Sequence, residues 1–280
     1  MSLSKNRLIT NNIKGNRDKT NLNNVFISKI TAGKEWLKKL VKIGVKIDLI
    51  ITLKNNNSSD ACSFDDISEE FNIPLIKTDN VNSDEIREKI EEKKPDIIWV
   101  LGWSKIIGKD ILDIPNIGTI GSHPTELPKY RGRAPIPWSI IKGLEESALT
   151  FFWLDEDIDK GPILIQKNFK IDLNDTALDV YKKMIKNGNE MLEEVYAEFE
   201  KGNYPQKKQN KEEFIEEWPK RTPKDSEIDW SKSLIDIHNQ IRAVSGIYPW
   251  AYSHINDKKI LFKKSRYKDG KLIIEEAEII

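Results

Sequence analysis

From Val25 onward, short β-branched runs alternate with amphipathic stretches along the chain. Val25-Phe26-Ile27 predicts a short strand, and Lys34–Ile43 a helix with Trp36, Leu37, Leu40 and Val41 on one face and Gly44 as its stop. Ile47–Leu53 (IDLIITL) is nearly all apolar, as a strand covered on both faces would be. The pattern then predicts a short helix over Phe64–Phe71, a strand over Ile73–Ile76 and a helix over Asp84–Lys93, whose acidic start and basic end suit the helix dipole. Strands over Asp96–Leu101 and Ile117–His123 follow, then an apolar run Leu149–Leu154, a strand Pro162–Ile171 and a long helix Thr176–Lys201. Alternation at this spacing predicts an α/β chain with a doubly wound, mostly parallel, Rossmann-like sheet. Ligands of such sheets bind beyond the carboxyl ends of the strands, which points to the loops after Leu101 and Ile120.

The flanks differ in character. Residues 1–24 are polar, rich in Asn and Lys and without periodicity, and are read as a loose extension. Gly202-Asn203-Tyr204-Pro205 breaks the chain and Gln206–Lys220 is highly charged, which divides a catalytic unit, 25–203, from a small C-terminal domain, 204–280. The latter carries a short helix near Leu234–Val244 and β-like pieces at its end. Lys+Arg and Asp+Glu both number 45, so the chain lacks the basic bias of a general nucleic-acid binder. A single cysteine, Cys62, excludes an internal disulfide and a Cys-rich zinc site. No apolar run approaches the ~20 residues of a membrane span, and the N-terminal stretch has no apolar core of a signal peptide. The expected compartment is the cytoplasm, with no membrane partner and no metal. A nicotinamide enzyme is disfavoured, because no Gly-x-Gly-x-x-Gly follows the first strand.

Two segments carry candidate chemistry. In Gly118–Trp138 (GTIGSHPTELPKYRGRAPIPW) a strand ends on His123 and runs into a loop stiffened by prolines and bearing Arg131 and Arg133. Pro135 and Pro137 open the next helix and Gly143 closes it. In Leu154–Gly161 (LDEDIDKG) a buried strand runs into Asp155, Asp157 and Asp159. Taken alone, the acidic run is as consistent with an ordinary turn, and it lacks the glycine and terminal glutamate of a calcium-binding loop.

Together the two segments resemble the active-site pattern of the folate-dependent formyltransferases, whose members act on methionyl-tRNA, glycinamide ribonucleotide or amino sugars. His123 matches the family histidine, Pro124-Thr125-Glu126-Leu127-Pro128 and Tyr130-Arg131-Gly132 the loop after it, and Asp159-Lys160-Gly161 the Asp-x-Gly, its aspartate 36 positions on. Gly102-Trp103-Ser104 falls where members hold the pterin ring. Arg221–Asp225, Ile228-Asp229-Trp230, Ile241-Arg242-Ala243 and Tyr248-Pro249-Trp250 resemble the sugar-directed members most. The resemblance runs from Val25 to Tyr267 and implies the formyltransferase fold. One position departs: the family's asparagine, two residues before the histidine, is Gly121 here. Ser122 points to the other face of the strand, and Asn116 lies too far back to take its place.

The resemblance implies N10-formyltetrahydrofolate as co-substrate and a primary amine as acceptor. His123 would donate to the oxyanion that forms when the amine attacks, and Asp159 would orient the imidazole and relay or accept the amine's proton. Gly102, Trp103, Ser104, Leu127 and Pro128 are the implied folate contacts. Arg131, Tyr248 and Trp250 are candidates for the acceptor, Tyr248 or Trp250 as stacking partners of a base. Lys207, Lys208 and Lys211 are answered by Glu212, Glu213, Glu216 and Glu217, so an unbalanced RNA-binding surface is not evident in the 77 residues from Tyr204. An amino-sugar nucleotide is therefore preferred as acceptor, with methionyl-tRNA as the alternative. A silent folate-binding protein, suggested by Gly121, is a third reading. The oligomeric state stays open, a homodimer included.

Overall fold

The structure, a computed structural model, describes residues 22–55 and 58–280. Most of the polar N-terminal extension, residues 1–21, lies outside the described residues. Its last residues belong to the body: the Asn23 N–H donates to the Asp96 carboxylate at 2.9 Å, and Asn24 already opens the first strand.

The first half alternates as the pattern requires: β1 Asn24–Ile27, α1 Thr31–Lys42, β2 Ile47–Leu53, α2 Asp65–Phe71, β3 Leu75–Thr78, α3 Asp84–Glu92, β4 Ile97–Val100, α4 Lys109–Leu112 and β5 Gly118–His123. Then follow β6 Tyr130–Gly132, α5 Pro135–Ile141, β7 Glu146–Trp153, β8 Ile163–Lys170 and α6 Ala177–Glu200. The C-terminal part holds β9 Glu216–Trp218, α7 Leu234–Arg242, β10 Ala251–Ile255, β11 Lys258–Lys268 and β12 Lys271–Ile279.

Seven strands form the main sheet in the order β3-β2-β1-β4-β5-β7-β8. The first five run parallel, and β7 and β8 are antiparallel. Strand β8 turns back antiparallel to β7 because the turn between Trp153 and Ile163 is shorter than the dozen or so residues that a parallel crossover needs. Period-two alternation sorts the strand side chains into two cores: Phe26, Ile50, Ile97, Trp99 and Ile120 meet α1 and α6, whereas Val25, Ile27, Leu49, Ile51 and Ile98 meet α3 and α4.

Helix α6 starts with a capping box, in which the Thr176 hydroxyl accepts from Asp179 N and the Asp179 carboxylate accepts from Thr176 N. Its Gly188 admits Trp36 of α1, because a Cβ there would lie 2.1 Å from Trp36 Nε1. Trp36 Nε1 in turn donates to Ile185 O at 3.2 Å. In the C-terminal part, α7 packs Ile237 and Ile241 onto Ala251 and Phe262 of a three-stranded antiparallel sheet.

One sequence expectation is corrected and two elements are added. The strand expected over Ile73–Ile76 begins at Leu75, because Asn72 turns left-handed (φ 50°) and Ile73 N closes helix α2 on Ser68 O. Helix α4 was not anticipated. Nor was the small parallel ribbon of β6 and β9, which draws part of the charged 206–220 stretch back against the loop after His123.

Candidate functional site

The carboxyl ends of β1, β4 and β5 and the turn after β7 surround a cavity of about 550 Å³. His123 ends β5 and is 5% exposed, so its ring is held by protein rather than by water. Its Nε2 faces Tyr130 O at 3.2 Å, and its Nδ1 faces Asp159 Oδ1 at 3.7 Å. The second distance is longer than a hydrogen bond, so Asp159 flanks the ring without being bonded to it.

Asp159 reaches this position through an unusual backbone. It is left-handed, with φ 56°, a conformation that Asp tolerates better than most residues because its short side chain bonds locally. Its Oδ2 accepts from Gly132 N at 3.2 Å, and its carbonyl accepts from Gln209 Nε2 at 2.9 Å. Gln209 Nε2 also donates to Gly161 O at 2.8 Å. Glycine at 161 is required by close approach, since a Cβ would come within 1.7 Å of Trp153 O. The acidic turn is therefore a built structure, clamped from behind by a residue of the charged stretch.

Gly121 and His123 share one face of β5, and Ser122 takes the other, where its hydroxyl accepts from Gly102 N at 3.1 Å. The space beside Gly121 is filled: a Cβ built there would lie 2.5 Å from Leu154 Cδ2. Asn116 is remote, its amide donating to Asp96 Oδ1 at 2.9 Å.

Of the residues singled out in the sequence, His123, Asp159, Gly121, Gly102, Trp103, Ser104 and Tyr248 all line the cavity. Gly102, at φ 72°, turns the chain after β4 over its edge. Trp103 brings a buried Nε1 with no hydrogen-bond partner among the described residues. Four expected contacts are not brought to the wall. Leu127 packs with Phe152 and Ile163, and its carbonyl accepts from Gln166 Nε2 at 2.9 Å; Pro128 follows it away from the cavity. Arg131 turns away from the cavity to the buried Gln209, donating to its Oε1 at 2.8 Å, with its guanidinium over Phe214. Trp250 faces Lys263, whose Nζ lies 4.6 Å from the ring centroid.

The structure adds residues that the sequence did not flag. Lys29 and Asp60 line the cavity beside Tyr181, whose hydroxyl donates to Asp60 Oδ2 at 3.0 Å and accepts from Ala32 N at 2.8 Å. Burial pushes the Tyr181 hydroxyl's pKa up, and the charge of Asp60 adds to the shift. Burial likewise raises Asp155 above the usual carboxylate range. No local motif marks Lys29, Asp60 or Tyr181; only the packing of elements far apart in sequence brings them together.

Comparison with known proteins gives a consistent result. Residues 25–196 match the formyl transferase family model, and residues 220–277 match the model of a formyl transferase C-terminal domain. The chain is 37% identical over 217 residues to a methionyl-tRNA formyltransferase of Clostridioides difficile (strain 630), covering 77% of this chain and 69% of that protein. Among solved structures it resembles a methionyl-tRNA formyltransferase from Clostridium thermocellum, with a TM-score of 0.68, 23% identity and coverage of 92% of this chain and 99% of that one. It also resembles the N-formyltransferase from Helicobacter canadensis solved with folinic acid and dTDP-3-aminofucose, with a TM-score of 0.67, 22% identity and coverage of 91% and 97%.

Proposed function

The chain belongs to the formyl transferase family of folate-dependent formyl-transfer enzymes, and from that membership we propose that it moves the formyl group of N10-formyltetrahydrofolate to a primary amine, that of a nucleotide-linked amino sugar. The observation that carries the reading is the meeting of His123 and Asp159, 3.7 Å apart, at the wall of a cavity that also reaches Gly102, Trp103 and Ser104.

The residues fit the donor. A cavity of about 550 Å³ is in the range of small-molecule sites. Val100, Ile107, Leu112 and Leu154 give it an apolar side for a flat ring, and the orphaned Trp103 Nε1 offers a donor to a ring heteroatom. When bound, formyl-folate supplies an electrophilic formyl carbon for attack by the acceptor's neutral amine. In this reading Nε2–H of His123 donates to the Tyr130 carbonyl, and Nδ1–H of the protonated ring, beside the Asp159 carboxylate, donates to the formyl oxygen as charge builds on it. One such donor contributes about 2.7–4 kcal/mol to lowering the barrier. Asp159 orients the ring and takes the proton that the amine loses, which returns to N10 of the folate as the bond from N10 to the formyl carbon breaks and tetrahydrofolate leaves. Leu154 fills the room at Gly121, so the side chain at that position supplies no second donor.

Tyr248, on the cavity wall, supports a small acceptor with a base to stack, and the Helicobacter canadensis neighbour was solved with an amino-sugar nucleotide. A second reading, methionyl-tRNA as acceptor, is favoured by the sequence relatives. Incubation with formyl-folate and either a panel of amino-sugar nucleotides or methionyl-tRNA, read by mass for a formyl gain, separates the two. A gain on the tRNA alone overturns the sugar reading; no gain on any amine overturns both.

A further inference from the structure

A row of buried polar contacts runs behind the cavity wall and ends on the His123 ring. Thr150 of β7 lies directly across from His123 of β5 and from Gln166 of β8, so the three side chains share one face of the sheet. Gln166 Nε2 donates to the Thr150 hydroxyl at 2.8 Å and to Leu127 O at 2.9 Å. The Thr150 hydroxyl directs its one proton to Thr125 O at 2.7 Å. Thr125 in turn donates its hydroxyl to Tyr130 O, the oxygen that His123 Nε2 faces at 3.2 Å. Thr125 and Thr150 are fully buried, so water does not compete for these bonds.

The ribbon of β6 and β9 turns the Tyr130 carbonyl to this use. Lys129 O accepts from Ile215 N at 2.9 Å and from Glu216 N at 3.1 Å, on the side of β9. Successive carbonyls of a strand point to opposite sides, so Tyr130 O faces away from β9 and towards β5. A carbonyl oxygen has two lone pairs and no proton, and here Thr125 takes one pair and His123 the other. Its partner can only accept, so Nε2 of His123 carries a proton in the neutral ring as well as in the protonated one. The proton that comes and goes is then the one on Nδ1, the nitrogen beside Asp159. The 3.2 Å contact is at the long end for N–H···O, so the orientation of the ring depends on where Tyr130 O is held.

We propose that Thr125 is a positioning residue for formyl transfer: its hydroxyl holds the Tyr130 carbonyl in place, which keeps the proton of neutral His123 on Nε2 and turns Nδ1 towards Asp159 and the formyl group. The assignment deepens the formyl-transfer reading and rests on it. Thr125 acts through the ring alone, since it lies behind the cavity and is not part of its lining.

Nitrogen-15 spectra of the His123 ring test the assignment on the wild-type chain, on Thr125→Val, which keeps the shape and loses the hydroxyl, and on Thr125→Ser, which keeps the hydroxyl. In the wild type the neutral ring carries its proton on Nε2, with widely separated signals for the two nitrogens. In Thr125→Val the signals draw together as the tautomers mix, and Thr125→Ser restores their separation. Turnover is measured with N10-formyltetrahydrofolate and the amine that gains a formyl group in the mass assay. Thr125→Val lowers kcat by on the order of 10–100-fold with the KM for formyl-folate within about threefold of wild type, and Thr125→Ser returns kcat to within about threefold. If Thr125→Val does not fold, Thr125→Ala takes its place, and the wild-type spectrum decides by itself: a neutral ring protonated on Nδ1 overturns the proposal. So does a wild-type kcat in Thr125→Val, a loss that Thr125→Ser does not recover, or a loss with the nitrogen signals unchanged, which would make Thr125 a loop residue only. Absence of a formyl gain on any amine with the wild-type chain overturns the formyl-transfer reading instead, while the ring spectra still report on Thr125.

Discussion

Leu154 stands where a side chain on Gly121 would have to go, with its Cδ2 only 2.5 Å from the position of a Cβ there. Gly121 lies on β5 and Leu154 directly follows the neighbouring strand β7, where Leu154 N donates to Thr119 O at 2.8 Å, so the leucine is fixed by backbone as well as by packing. The space beside the glycine is taken by an apolar side chain, which leaves no room for an amide.

Gly121→Asn is therefore expected to lower turnover and leave folate affinity nearly unchanged, because the new amide must displace Leu154. Overpacking of this kind typically costs about 1–3 kcal/mol. Adding Leu154→Ala to Gly121→Asn makes room for the amide and should recover stability and part of the rate. Steady-state kinetics with thermal unfolding check both variants; a rise in turnover from Gly121→Asn alone would show that the native site merely lacks a donor.

His123→Ala should lower kcat by on the order of 10²–10³ with the fold intact. Asp159→Asn should be similarly damaging. Asparagine tolerates the left-handed backbone at 159 and keeps an oxygen for Gly132 N, so the substitution isolates the charge. If Asp159→Asn turns over like wild type, the carboxylate serves the loop and not the chemistry.

Gln209→Ala removes one side-chain amide that serves two carbonyls, at 2.9 Å and 2.8 Å, and leaves them without that donor in the interior. The expected loss of stability is about 1–3 kcal/mol. Slackening of Asp159 should reduce kcat by on the order of 10–100-fold. Denaturant unfolding alongside kcat measures the two effects; an unchanged kcat in a folded variant would remove Gln209 from the support of the site.

Burial lowers Lys29 below a lysine's ordinary 10.5, so between the folded and unfolded values the unfolded chain binds more protons. Stability of the wild-type chain therefore rises with pH through that window. Below it the ammonium is charged in both states and its burial costs stability. Lys29→Met should accordingly melt higher than wild type near neutral pH, with a margin that shrinks as pH approaches 10.5. Melting curves across that range decide it, and a margin that widens with pH would reverse the sign of the argument.

Hydrophobic periodicity made the central strands legible, since β2 and β4 are nearly continuous apolar runs buried on both faces. It also placed His123 at a strand end and Asp159 in a turn after an apolar run, while their membership of one site came only from the family resemblance. Residues whose position depends on the path of a loop were harder. Leu127 and Arg131 belong to the right segment, yet one packs inward behind Phe152 and the other turns away from the cavity to Gln209. Lys29 and Gln209 were invisible for a different reason. Each is an ordinary polar residue until β1 is laid beside β4, or until β9 pairs with β6. Their roles come from long-range register, which no short window of sequence contains.

The ribbon of β6 and β9 has a practical consequence for recombining this chain with its relatives. Tyr130, Arg131 and Gly132 pair with Glu216, Glu217 and Trp218, and Tyr130 stacks on Trp218 with ring centroids 4.8 Å apart. A chimaera joined at the compositional break near Gly202 would take its acidic turn from one parent and the Gln209 clamp from another. A junction placed after Trp218 transplants both together. Interchangeable parts in this molecule are delimited by hydrogen-bonded pairing, and the splice that respects that pairing is the one expected to give a working hybrid.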